Sequence, residues 1–99
     1  MRSTRTITRK AALGGLYDAF LSLKNREEAA AFLRDLCTIS EIQDMAERYA
    51  IVLKVAKDTP YREIAEEVGA STTTVTRVAH WFHHGTGGYR RVISRTQKM

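Results

Sequence analysis

Four hydroxyl residues in a row, Ser71, Thr72, Thr73 and Thr74, follow the pair Gly69-Ala70, and Arg77 lies three residues further on. Hydroxyls near the start of a helix can donate to phosphate oxygens or base edges, and a threonine methyl can meet the thymine methyl. An arginine in the same segment can pair with a phosphate or grip guanine through two hydrogen bonds. The unpaired N–H groups and positive dipole end of a helix beginning at this point add attraction for a phosphate. The plainer alternative is that Ser71 only caps a helix and the threonines are solvated. Consecutive threonines are poor helix formers, however, which invites another reason for them.

Other chemistry is weaker. His80, His83 and His84 form the run HWFHH. His80 and His84 are at i, i+4, a spacing able to hold a metal on one helix face. The cluster contains no acid, so it is read as a polar helix end near phosphates, with no metal assigned. Trp81 and Phe82 are read as packed against the body or against a dimer partner, rather than stacked on bases. GTGG at 85–88 has the glycines of a phosphate loop but lacks its Lys-Ser/Thr, and is read as a helix stop and hinge. Cys37 is the single cysteine and fits a reducing cytoplasm, with a buried structural thiol expected. No nucleophile–base set, paired carboxylates or cofactor motif stands out, so neither an enzyme nor a cofactor is expected.

The elements that would position the hydroxyls are two short helices around Gly69. Ile64 and Val68 have the spacing of an inner face, and Ala65 is small enough for a second helix to cross closely. Gly69 can take the left-handed backbone that reverses the chain. Ala70 follows the turn, and Val75 and Val78 pin the second helix to the first. These seven residues agree in type and spacing with a helix-turn-helix over residues 60–84. The residues then left outward are Ser71, Thr72, Thr73, Thr76, Arg77 and His80.

The rest of the chain also reads as all-α. A first helix is expected from about Thr8 to Leu23, with Leu13, Leu16, Tyr17 and Phe20 as its apolar stripe. Gly14 and Gly15 weaken it and suit a close backbone neighbour. Asn25 is the expected cap of the second helix, with Glu28 completing a capping box. Ser40 with Gln43 is the expected box of the third. Thr59-Pro60 reads as cap and N1 of the fourth. The fifth is expected from about Ser71 to His84, with Gly85 as its C′ residue. The tail 85–99 is read as either a short helix or loose chain. The stretch Tyr49–Ala56, YAIVLKVA, is apolar nearly all round. A helix wet on one side does not look like this. In 99 residues few elements can enclose it, so a homodimer with interleaved first halves is expected.

Charge is segregated. Residues 1–10 carry Arg2, Arg5, Arg9 and Lys10 without an acid. Residues 68–99 carry Arg77, Arg90, Arg91, Arg95 and Lys98 without an acid. The stretch between them has an excess of acids, and the total is +5. An acidic body with basic ends favours a polyanion as partner; solvated tails are the alternative. No apolar run reaches the roughly 18–20 residues of a membrane span. The N-terminal segment lacks the apolar stretch of a secretory signal. A single domain in the cytoplasm, at the nucleoid, is the expected setting.

The segment 38–81 resembles the Trp repressor superfamily, most strongly in AERYAIVLKVAKD and REIAEEVGASTTTVTR. Chain length and the basic tail are similar to the YerC/YecD branch of Trp-repressor-like proteins. The resemblance implies an intertwined all-helical homodimer and a bacterial transcription regulator, each subunit offering one helix-turn-helix to double-stranded DNA. The helix-turn-helix spacing and the acid-free ends place Ser71, Thr72, Thr73, Thr76, Arg77 and His80 towards DNA, with Tyr61, Arg62 and the basic ends mainly on phosphates. The founding member holds tryptophan with two arginines and a threonine, and the matching residues are Arg48, Arg77 and Thr38. Val78 and Trp81 stand where that repressor has small residues. The expectation is therefore that free tryptophan is excluded, with a different small-molecule effector as the open alternative at Thr38, Arg48, Arg77, Val78 and Trp81. The rival readings are a helical protein-interaction module, and a replication-initiator-like DNA-binding domain for whose ATPase the chain has no room.

Overall fold

The computed structural model describes residues 7–97, which form six helices and, among the described residues, no strand. They are α1 (Arg9–Ser22), α2 (Arg26–Leu36), α3 (Ile39–Ala56), α4 (Tyr61–Val68), α5 (Thr72–His84) and α6 (Gly88–Thr96). The all-α expectation is met. The chain divides into two compact units between Ile39 and Ser40.

In the first unit the caps are local and conventional. The Ala11 N–H donates to Thr8 Oγ1 at 3.1 Å, and the Glu28 N–H to Asn25 Oδ1 at 2.8 Å. The expected box at α2 is shifted by one residue. Glu28 Oε1 accepts from the Lys24 N–H, 2.9 Å away, rather than from the cap residue itself. Phe20 meets Phe32 edge-on with centroids 5.4 Å apart. Beyond that contact the unit has little interior: no residue of α1 or α2 is buried. Tyr17 is 58% exposed and Leu21 83%. Cβ atoms added at Gly14 and Gly15 would meet nothing within 4 Å, so the close backbone neighbour expected there is not supplied by this chain's described residues. Cys37 is only half-buried, which corrects its expected burial.

The second unit holds the core. Ile51, Val52 and Val55 of α3, Ile64 and Ala65 of α4, and Val75, Val78, Ala79 and Phe82 of α5 are all buried. Val68, Ala70, Tyr89 and Ile93 pack around them. The expected face of the turn is therefore the face found. Tyr49, Ala50, Leu53 and Ala56 stay half-buried, so the apolar stretch of α3 is not fully covered within one chain.

Three boundaries differ from expectation. First, α3 starts at Ile39, so Ser40 lies inside its first turn instead of capping it. Second, Pro60, with φ −58° and ψ 141°, occupies the cap position of α4, and Thr59 is not the cap. Third, Gly85 is extended (φ −85°, ψ −155°) rather than left-handed. It is needed for space, because a Cβ there would run into the Trp81 carbonyl oxygen. The end of α3 is closed by Asp58 at φ 61°, a left-handed position usually given to glycine. Its N–H reaches the Val55 carbonyl at 2.9 Å, and the Thr59 N–H reaches that of Lys54 at 3.1 Å. The tail from Gly88 is helical, docked by Tyr89 and Ile93.

Gly69 has φ 82° and ψ 30°. Its N–H and that of Ala70 both donate to the Ala65 carbonyl, at 2.9 and 3.0 Å. A Cβ at Gly69 would touch nothing within 4 Å, so the cost of a side chain there is conformational alone. Gly69→Ala therefore lowers stability by about 1–2 kcal/mol. Urea unfolding reads this as a lower midpoint at an unchanged slope.

Candidate nucleic-acid interface

The seven residues around the turn do not only join α4 to α5; they decide which side of α5 is left for a partner. Val75, Val78 and Ala79 are buried, so the opposite face carries Thr72, Thr73, Thr76, Arg77 and His80, all exposed. Thr73, Arg77, His80 and His84 fall at i, i+4, i+7 and i+11, one straight stripe.

The hydroxyls are not equivalent. Ser71 is exposed and caps α5: its Oγ accepts from the Thr74 N–H at 3.1 Å and lies 3.0 Å from Thr74 Oγ1. Thr76 donates its hydroxyl back to the Thr72 carbonyl at 2.9 Å, which leaves its methyl and oxygen lone pairs outward. The hydroxyls of Thr72 and Thr73 have no partner among the described residues, so their donors are open to an external acceptor. Arg62 and Arg77 form no ion pair among the described residues. Both residues are exposed.

At the other helix, Tyr61 and Arg62 stand in the first turn of α4, where no side chain caps the helix. The leading N–H groups there are orphan donors, suited to an anion. The far end of α4 is tied to α3 by Lys54 Nζ and Glu67 Oε1, 2.6 Å apart. The Lys54 hydrogen bond holds the Glu67 carboxyl below the ordinary carboxylate range. The lowered value means that this tie stabilises the fold above that range and is lost as pH falls through it. Both partners are well exposed, so the effect is small.

Arg48, Arg77, Val78, Trp81 and Tyr89 line a pocket of about 360 Å³. Four of the five expected effector residues thus come together, whereas Thr38 belongs to the first unit. Val78 is a buried wall, and Trp81, also lining the pocket, is 57% exposed. Tyr89 was not expected here; its only sequence signal is the apolar spacing of Tyr89, Val92 and Ile93. Arg48 and Arg77 also border a smaller hollow that includes Asp44, Glu47 and Thr74, so acids of α3 flank the stripe. Of the expected basic ends, Arg9, Lys10, Arg90, Arg91 and Arg95 are exposed, while Arg2, Arg5 and Lys98 lie outside the described residues.

The sequence profile of the Trp repressor protein family matches residues 11–97. The chain belongs to the Trp repressor family. It is 37% identical over 86 residues to the uncharacterized protein YerC of Bacillus subtilis (strain 168), an alignment that takes in 87% of this chain and 83% of YerC. The crystal structure of a TrpR-like protein from Eubacterium eligens ATCC 27750 superposes with TM-score 0.85 at 37% identity, covering 92% of this chain and 94% of that one. A second solved structure, from Staphylococcus aureus, gives TM-score 0.84 at 38% identity over 92% and 91% of the two chains. Trp repressor-like proteins are DNA-binding regulators rather than enzymes. Among the described residues, no helix is long and apolar enough to cross a membrane.

Proposed function

We propose that the chain is a sequence-specific DNA-binding transcriptional repressor that acts as a homodimer in the cytoplasm. The observation that carries this reading is the two-sidedness of α5: Val75 and Val78 are buried, while Thr72, Thr73, Thr76 and Arg77 are exposed. In it α4 and α5 work as a helix-turn-helix. Thr72, Thr73, Thr76 and Arg77 face the major groove with Ser71 and His80 at the edges. Tyr61, Arg62 and the basic ends hold phosphates.

Two features support a dimer. Among the described residues the first unit has none that is buried, and the apolar stretch of α3 remains partly open. A second copy supplies the missing cover and sets two recognition helices about 34 Å apart, one turn of DNA. Selection of bound sequences from random DNA tests the reading. The expected result is a near-palindrome with half-sites about 10–10.5 base pairs apart, lost from a monomeric variant. No enrichment together with no salt dependence would instead favour a protein-interaction module.

Free tryptophan is not the effector in this reading, because Val78 and Trp81 wall the pocket that Arg48 and Arg77 share. Isothermal titration with tryptophan is expected to give no heat of binding at micromolar concentration. Micromolar binding that tightens DNA affinity would overturn this point and leave DNA recognition intact.

A further inference from the structure

We infer that His80 and His84 form a two-imidazole site for a divalent late transition-metal ion of the zinc, nickel or copper class. The two residues are one helical turn apart on the exposed face of α5. Their ring centroids lie 5.1 Å apart with planes tilted by 43°. A metal bound to an imidazole nitrogen at about 2.0–2.1 Å sits about 3.2 Å from that ring's centroid. Centroids 5.1 Å apart then subtend about 105° at the ion, close to the tetrahedral angle. The centroid separation is short enough for one ion to come within bonding reach of both rings, and both residues are exposed, so each ring is free to turn a nitrogen towards it.

His83 is not a ligand. Its ring is 6.2 Å from that of His84, it packs edge-on against Phe82, and its Nδ1 lies 3.5 Å from Arg90 Nη2. No third histidine, cysteine or carboxylate completes a metal-binding group among the described residues. The ion therefore has two protein ligands and at least two positions left for oxygen donors. Imidazole selects zinc, nickel and copper over magnesium and calcium. The open positions suit oxygen donors, and Arg77, one turn before His80 on the same stripe, gives an external anion a second partner.

His80 and His84 continue the stripe of Thr73 and Arg77. On the DNA-binding reading above, on which this half of the inference rests, the open positions of the ion face phosphate oxygens. The ion then adds two positive charges to the interface and bridges protein to backbone without reading sequence.

Titration of tag-free protein with zinc chloride, followed by calorimetry and histidine NMR without DNA, decides the site. One zinc per chain is expected, with shifts at His80 and His84. His80→Asn and His84→Asn each weaken binding by about a hundredfold, because the second imidazole no longer acts at high effective concentration. His83→Asn leaves the affinity unchanged. Circular dichroism confirms that each variant stays folded. No zinc binding, binding that survives His84→Asn, or binding lost with His83→Asn would overturn the site. With a selected DNA sequence, zinc is expected to tighten wild-type binding about tenfold and to leave His84→Asn unaffected. Zinc held at the histidines with no change in DNA affinity overturns the phosphate bridge. Failure to bind DNA under any condition counts against the reading above, while the zinc titration still decides the site.

Discussion

Ile64→Ala lowers the free energy of unfolding by about 2–5 kcal/mol. Ile64 is 0% exposed and belongs to the cluster shared by Ile51, Val52 and Val55 on α3 and Val75, Val78 and Ala79 on α5. Truncation removes its transfer energy and leaves a cavity with walls on both sides. Those walls belong to three helices held together by the same core, and the Gly69 turn fixes α4 against α5, so collapse into the space is limited. Native domains are stable by only about 5–15 kcal/mol, so the loss is a large share of the total. Urea unfolding gives a lower midpoint at an unchanged slope. Leu21→Ala is the instructive companion. Leu21 is 83% exposed in a single chain, where its truncation would change stability by no more than about 0.5 kcal/mol. If a second copy covers α1, the same change is costly and its effect depends on protein concentration. A loss well under 1 kcal/mol for Ile64→Ala would contradict the packing described.

What could be read from the chain divides by the range of the interactions involved. The caps at Asn25 and Ser71 were legible because each joins a side chain to an N–H three residues on. The inner face of α4 and α5 was legible because helical spacing alone separates Ile64, Val68, Val75 and Val78 from Thr72, Thr73 and Arg77. The start of α3 was not, since Thr38 and Ser40 bracket Ile39 and both are residue types that begin helices. Its end was hidden because Asp58, not glycine, takes the left-handed backbone. Pro60 is compatible with N1 by its φ, but its ψ of 141° leaves it outside α4. The tail offered two readings because a nine-residue helix has little stability alone. Its order comes from Tyr89 and Ile93 meeting the core, with Arg90 stacked 4.3 Å from the Phe82 ring centre. For the same reason Tyr89 could not be foreseen as a wall of the Arg48–Arg77 pocket. That position depends on the chain folding back, which no local pattern encodes.

Arg77→Ala weakens DNA binding by about 1–3 kcal/mol and alters site preference. In dissociation constant this is about 5- to 150-fold. Arg77 is exposed and without an ion pair or hydrogen bond of its side chain among the described residues, so the stability of the variant is expected to stay within about 0.5 kcal/mol of wild type. A fall in affinity can then be attributed to the interface. The flanking acids sharpen the effect. Asp44 and Glu47 border the same hollow as Arg48 and Arg77, and removing one guanidinium leaves their repulsion of phosphate less opposed. Selection from random DNA separates the two roles an arginine can play. A base contact relaxes preference at one position of each half-site, whereas a phosphate contact weakens all sequences alike and reduces the salt slope by about one. Arg77→Lys makes the distinction firmer: it keeps the charge but not the fork that grips guanine. Preference lost in both variants, with affinity partly restored by lysine, assigns Arg77 to a base. Affinity and preference both unchanged in Arg77→Ala would mean that the exposed face of α5 is not the one that meets DNA.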